Sequence, residues 1–459
     1  MKLKYAFLNG ALLISLMHAA HADVFKVQSG ESIQASVQKA KPGDVVEVYP
    51  GLYKETVFID KENITLRGVI QGGKWPVLDG GNKLNDGVIA SGNGVIISKL
   101  WIKGYKGNSI MTQGANNYRV TDNVIEGGFY GIFPQFGKNG LVARNRITGV
   151  EDAGIYVGMS DNVDVVANEL YGNVMGVESE NSRTILIEGN FIYNNSSGVV
   201  ATLIPGLPVK DARDVYIRGN FIVNNNLKNF APPSSIAASV PVGVGVLVVG
   251  VKNVSVEGNL IRDNGSAAVV SSDLLTFGLA SDPKVDPYPE GVRVLSNMLL
   301  NNGKKPQGGI AAVVRAAKLP SIDIFASGKE RDSCIANRES LFEAGTKKWK
   351  ECAPDATTAS IKTAMLAEPV KAPPLTLEQK GRLTYLAVCT GCHAYNTQLH
   401  GPSIMSVKAL YQGNVAELVK YVKNPVKKRS GFAEMPKQDY LGDEVLNEVA
   451  KYILNDLKN

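Results

Sequence analysis

The sequence predicts a mainly β chain, a long single-stranded parallel β-helix, followed by a small all-α domain. Two repeating signals predict the coil, and a change of period predicts the helices. Segments of the form apolar-x-apolar-x-x-Asn-x-apolar recur as YRVTDNVIEGG, LVARNRITGV, VDVVANELYGN, ILIEGNFIYNN, VYIRGNFIVNN, VSVEGNLIRDN and VRVLSNMLLNN. Their central residues, Asn123, Asn145, Asn168, Asn190, Asn220, Asn259 and Asn297, are spaced by 22, 23, 22, 30, 39 and 38 residues. Short alternating strands at a period near 22 residues read as one coil per repeat. A coil with one apolar edge cannot fold alone, but stacked coils bury a continuous core. Asparagines at one turn then bond along the axis as a ladder. Gly131, Gly154, Gly176 and Gly198 supply the second signal, each opening an apolar strand eight or nine residues after the preceding asparagine.

The remaining elements follow in chain order. Lys2 and Lys4 precede an apolar run from Tyr5 to Met17, and Ala20, His21 and Ala22 form a small-residue cleavage site. Residues 1–22 therefore read as a secretory signal cut before Asp23, and the run is too short to span a membrane. The mature chain is expected to be periplasmic or secreted, with no membrane span. ESIQASVQKA carries helical periodicity and would cap the first coil, where an open sheet edge must be covered. The coil is expected over residues 23–330. Its long spacings mark insertions holding LIPGLPVKDARD, LKNFAPPSSIAASVPV and LLTFGLASDPKVDPYPE. Two readings of them stand: walls of one groove, or independent decoration. Residues 331–374 read as a linker, in which export permits a disulfide between Cys334 and Cys352. From Leu375 to Asn459 the period becomes helical, in LTLEQKGRLTYLAVCTGCH and DEVLNEVAKYILNDL.

Composition excludes little else. A formal charge of +6 spread over 459 residues does not argue for nucleic acid. Once the signal is removed only His393 and His400 remain, so the coil has no histidine base and no histidine-based zinc site. Aligning the coils on their glycines places Phe133, Tyr156 and Glu178 outward, with Gln135, Gly158, Glu180 and Thr202 two residues later. Rings beside carboxylates suit a sugar, which stacks on the rings while acids transfer protons. Tyr156, Glu178 and Glu180, with Asp211 and Arg213 of the first insertion, are thus the candidate catalytic residues of the coil. The competing reading is a solvated polar face, since no metal–carboxylate cluster or arginine-based lyase motif is legible.

Cys389-Thr390-Gly391-Cys392-His393 carries a more specific chemistry. Cys-x-x-Cys-His attaches one haem c: both thiols add to the vinyl groups of the porphyrin and the histidine ligates iron. A thioredoxin-like dithiol would need a βαβ setting, and half a zinc site would need further ligands.

Over residues 24–330 the chain resembles secreted right-handed parallel β-helix proteins of the pectate-lyase-like superfamily, a likeness that implies a fold and no activity. AGIYVG, PGLPVKD and the stretch from Asn225 to Pro232 resemble a subgroup of them, again without implying a reaction. Residues 375–459 resemble class I c-type cytochromes. Gly381 and Tyr385 match the family's first helix, with Tyr452 their packing partner on the last. His400-Gly401-Pro402 matches the segment whose proline carbonyl orients the proximal histidine, so Pro402 is implied in that role. Glu434-Met435-Pro436 before Leu441-Gly442 matches the sixth-ligand loop. The resemblance therefore implies His393 and Met435 as iron ligands, with Met405 packing against the haem and His400 on the proximal side. Lys423, Lys427, Lys428 and Arg429 would form a basic rim for an acidic redox partner.

The function expected is that of an exported electron-transfer protein with one covalent haem c. Its coil would bind a partner protein, a glycan or a cell-surface component. The alternative is a redox-coupled carbohydrate-active enzyme, a lyase, epimerase or oxidising enzyme, with its site on the coil's groove.

Overall fold

The computed structural model describes residues 22–279, 281–427, 432 and 434–458. Residues 1–21 of the expected signal, together with Lys428 and Arg429, lie outside these. Strands from Val24–Val27 to Lys350–Glu351 form three parallel sheets of 13, 11 and 10 strands, wound as a β-helix. One coil shows the logic. Ala153–Gly158 lies in the 11-stranded sheet, Asp161–Val166 in the 13-stranded sheet and Glu169–Tyr171 in the 10-stranded sheet. Each strand pairs in register with its equivalent one coil later, as Tyr156 with Glu178 and Val165 with Ile187. Inward side chains of successive coils, such as Ile155, Val177 and Val199, are fully buried.

The corners between strands hold the register. At the corner after the 13-stranded sheet, each asparagine Nδ2 donates to the Oδ1 of the next coil's asparagine. These bonds run from Asn123 through Asn145, Asn168, Asn190, Asn220 and Asn259 to Asn297 at 2.9–3.0 Å. The predicted ladder is therefore present. A second ladder, not anticipated, runs along the corner five residues further on, from Asn195 through Asn225 and Asn264 to Asn302. Asn173 joins it by accepting from Val150 and donating its backbone N–H to Asn195. The glycine column has a steric cause: a Cβ on Gly131 would stand 2.3 Å from the Gly154 carbonyl oxygen, and one on Gly198 2.3 Å from that of Gly245.

The helix Ile33–Lys39 covers the open N-terminal end, with Ile33 and Val37 buried and Ser32 as its cap. At the other end the chain departs from expectation. Residues 331–374 were expected to be a linker, yet Cys334–Ile335, Glu343–Ala344 and Lys350–Glu351 add further strands to the sheets. Ile335 and Trp349 are buried in the coil's core, so the apolar stack itself draws these residues in. The Cys334–Cys352 disulfide, which was predicted, pins that last turn.

From Cys352 the chain turns back along the outer face of the 13-stranded sheet. Thr358 binds Glu257 and Arg218, Ala364 binds Asp164, Leu366 binds Asn139 and Val370 binds Asn117. This strap brings residue 375 back to the early coils. The helix Leu377–Val388, closed by a Thr376/Gln379 capping box, then lies beside Gly114, whose absent Cβ would sit 3.0 Å from Leu383. It crosses the helix Asp443–Lys451 at Gly381, where a Cβ would meet that of Glu448 at 2.4 Å. Tyr385 and Tyr452 pack at 5.4 Å between ring centres, as the sequence suggested. Helices Ile404–Tyr411 and Val415–Lys423 complete this second core. Among the described residues, no helix is long and apolar enough to cross a membrane.

Candidate functional site

The two cores meet at the segment after Val388. Cys389, Thr390 and Gly391 form a single 3₁₀ turn, which delivers both cysteines and His393 to one wall of an apolar cavity of about 230 Å³. Met435 and Tyr440 form another wall, and Phe133 of the coil closes the floor. A larger cleft of about 940 Å³ adjoins it, sharing Tyr130, Cys392, His400 and Met435. The thiols of Cys389 and Cys392 are not joined to each other. Burial raises both to about 12, so they remain protonated. A catalytic dithiol needs a lowered value instead.

His393 is prepared as a ligand. Its Nδ1 donates to the Pro402 carbonyl at 2.7 Å, which fixes the tautomer and leaves the Nε2 lone pair free. Burial lowers its pKa and keeps the ring neutral. Gly401 makes room for the ring, since a Cβ there would lie 2.4 Å from His393 Cε1. The residue set therefore fits a covalently attached haem: two free thiols, a neutral imidazole held by a carbonyl, a thioether and an apolar lining. Among the described residues, no group of three or more His, Cys, Asp or Glu is placed to hold a bare metal ion.

One further expectation, that Met405 packs against the haem site, is corrected. Met405 is 53% exposed and does not reach the cavity, because it lies on the outer side of Ile404–Tyr411. Lys423 is paired with Asp443 at 2.5 Å, while Lys427 does reach the cavity rim. His400 is hydrogen-bonded to Tyr130, its Nε2 2.9 Å from the phenol oxygen, and burial holds its pKa down at about 4.

The coil's candidate catalytic residues separate into two places. Asp211 and Arg213 pair with each other at 2.8 Å at the start of Arg213–Arg218, in the 13-stranded sheet. Lys210 pairs with Asp282 of the third insertion at 2.7 Å. Tyr156 and Glu178 do occupy equivalent positions of the 11-stranded sheet, with Glu180 two residues further on beside Gly158, but they are not an open sugar-binding face. Tyr156 is 7%, Glu178 8% and Glu180 6% exposed, because the C-terminal domain and the insertions cover this face. Gln135 donates to Thr390 at 3.2 Å, and a Cβ on Gly391 would touch Phe133 at 3.2 Å. Ile204 and Leu207 of the first insertion pack with Ala394 and Leu399. Tyr395 donates its backbone N–H to the Gly206 carbonyl at 2.8 Å. The insertions thus form walls, and the C-terminal domain fills the space between them.

Beneath that cover lies a carboxyl cluster whose third member the sequence reading missed. Tyr156 donates to Glu180, and Asp152 stands with Glu178 and Glu180, 1% exposed and with Oδ1 unpartnered among the described residues. Burial raises the pKa of all three, that of Glu180 to about 7. The missed signal was Asp152 immediately before the strand Ala153–Gly158 in an apolar context.

Residues 85–273 match the family described as NosD, periplasmic copper-binding protein. No curated protein matches the chain in sequence. Among solved structures, the chain is similar to the A-module of a mannuronan C-5 epimerase from Azotobacter vinelandii, with 16% identity over 68% of this chain and 86% of that one, at a TM-score of 0.45. It is also similar to an alginate lyase from a Paenibacillus species, with 17% identity over 62% and 99% and a TM-score of 0.44. Likenesses of this order carry no information on chemistry. The NosD match, by contrast, falls on the coils that carry the carboxyl cluster and the floor of the cavity, and leaves residues 274–459 outside it.

Proposed function

We propose that this is an exported, periplasmic electron-transfer protein. It would carry one haem c bound covalently through Cys389 and Cys392, with His393 and Met435 as axial ligands, at the junction of a small helical domain and a β-helix. The observation that carries the reading is the His393 Nδ1 to Pro402 carbonyl bond beside two unjoined cysteines in a cavity shared with Met435. When bound, such a group exchanges one electron, and thioether ligation raises its potential.

The chain's own residues supply the rest. Pro402 holds the imidazole by its Nδ1–H, and Gly401 gives the ring its place. Phe133, Val388 and Ile404 keep this part of the lining apolar, which would strengthen the electrostatic effect of a charge change there. The alternative of a carbohydrate enzyme working at Tyr156, Glu178 and Glu180 needs an open groove, and that face is covered by the C-terminal domain. Export is supported by the Cys334–Cys352 disulfide and by the periplasmic family matched over residues 85–273.

The reading is tested by redox titration of the full chain expressed in a periplasm able to attach haem. One reversible one-electron transition is expected, lost in His393→Ala. A chain that carries haem but shows no reversible transition would refute it.

A further inference from the structure

We propose that the C-terminal domain is a pH-sensitive cover over the β-helix, released as the carboxyls of Asp152, Glu178 and Glu180 ionise. The inference does not rest on the haem reading.

Three observations converge on it. First, the covered face holds three carboxyl groups and none of them has an ion pair among the described residues. A buried carboxylate without a cation is costly, so the docked state holds these groups neutral. Second, the contacts that hold the cover down beside the cluster are neutral: Gln135 to Thr390, Tyr395 N–H to the Gly206 carbonyl, Tyr130 to His400, and the apolar patch around Leu207 and Leu399, while Tyr440 with Gln113 and an exposed Lys106–Glu434 pair at 4.0 Å hold it at the preceding coil. Third, the domain hangs on the strap from Cys352 to Leu375, whose bonds to Glu257, Asp164 and Asn139 lie on a different sheet, with one more to Asn117 in the bend before it. The cover can therefore lift while the chain stays anchored.

The groups acting on the cluster come from each element packed there. On the coil these are Tyr156, which bonds Glu180, and Tyr130; the second insertion contributes Ser235, which bonds Asp152. The C-terminal domain contributes Cys392 and His400. The sign follows. A carboxyl whose docked pKa is raised favours docking fully below its free value, and this preference is lost as pH rises through the docked value. Glu180 moves from 4.5 to about 7. By itself that shifts the docking equilibrium toward release about twentyfold between roughly pH 5.5 and 7.5. Glu178 and Asp152 act in the same direction. His400 acts oppositely, since its docked pKa is lowered and its neutral form favours docking as pH rises. One imidazole stands against three carboxyls, and release with rising pH is the net result.

The test is small-angle scattering of the full chain from about pH 5 to pH 9, with hydrogen exchange of the segments 130–135 and 388–402. The radius of gyration and the exchange of both segments are expected to rise together through neutral pH. In Glu178→Gln/Glu180→Gln the rise should shrink or reverse, because His400 then has more of the pH response to itself. A wild-type radius and exchange that stay constant across this range would overturn the proposal. So would an equal rise in the variant. Should the variant not fold, infrared spectroscopy of the wild type decides: buried protonated carboxyl bands at pH 6 that vanish in step with the exchange support it, and their absence at pH 6 refutes it. Haem content, measured separately, does not enter any of these outcomes.

Discussion

Replacing Asn190 by alanine removes four hydrogen bonds from the middle of the first ladder. Its Oδ1 accepts from the backbone N–H and the Nδ2 of Asn168 at 2.9 and 3.0 Å, and its Nδ2 donates to the Val165 carbonyl and to Asn220 Oδ1, both at 2.9 Å. Every one of these groups is buried, so no water replaces the lost partner. At about 1 kcal/mol net for each bond, with more for donors left unpaired, the expected loss is roughly 3–5 kcal/mol. The backbone bond from Asn190 to Asn220 survives, which keeps the estimate toward the lower end. Asn297 is the control at the ladder's end. It is half-buried and takes part in three bonds, from Asn259 N–H, from Asn259 Nδ2 and to the Val256 carbonyl. Asn297→Ala should cost about 1–2 kcal/mol, because solvent reaches the vacated site. Stacked coils need not unfold in one step, so denaturant unfolding should be read beside native-state hydrogen exchange of the strands Asp161–Val166 and Arg183–Glu188. Equal costs at both positions, or a loss below about 1 kcal/mol at Asn190, would refute the claim that the ladder's value comes from burial.

Further outcomes follow from the same contacts. Gly381→Val would drive a side chain into Glu448 where a Cβ already meets its neighbour at 2.4 Å. It should unfold the C-terminal helices while leaving the β-helix thermal transition in place, which two separate transitions in a melting curve would reveal. Met435→Ala should leave haem covalently attached but lower the reduction potential and change the spin state, read from the visible spectrum. Cys334→Ser with Cys352→Ser opens a loop of 18 residues and should cost about 3 kcal/mol, seen as earlier denaturant unfolding of the last coils.

Much of this architecture is local and therefore legible. The period of the asparagines, the glycine column and the capping helix follow from the needs of one coil against the next, and those needs are written at fixed spacing. The Cys389–Cys392–His393 cluster stood out for a related reason, since attachment chemistry ties residue types to a short interval, whereas Pro402 and Met435 were named only through the family resemblance. The second asparagine ladder lies five residues after the first in the same segments, and was overlooked because only one asparagine was aligned. What did not show in the sequence is where the two cores touch. An outward residue on a strand reads as polar surface whether it faces water or another domain. Tyr156 and Glu178 looked like an exposed platform for that reason, although the strap places the C-terminal helices on top of them. The strap itself is a run of threonine, alanine and lysine whose partners lie about 100 to 250 residues away, such as Glu257 and Asn117. No local period marks such contacts.

The central claim concerns Cys389 and Cys392, and the most direct measurement is the mass of the exported chain after complete denaturation. The account predicts one species heavier than the processed polypeptide by one haem, retaining haem absorption in denaturant, and loss of both in Cys389→Ser/Cys392→Ser. A chain exported by a haem-attaching host with both cysteines free, or joined to each other, would contradict it.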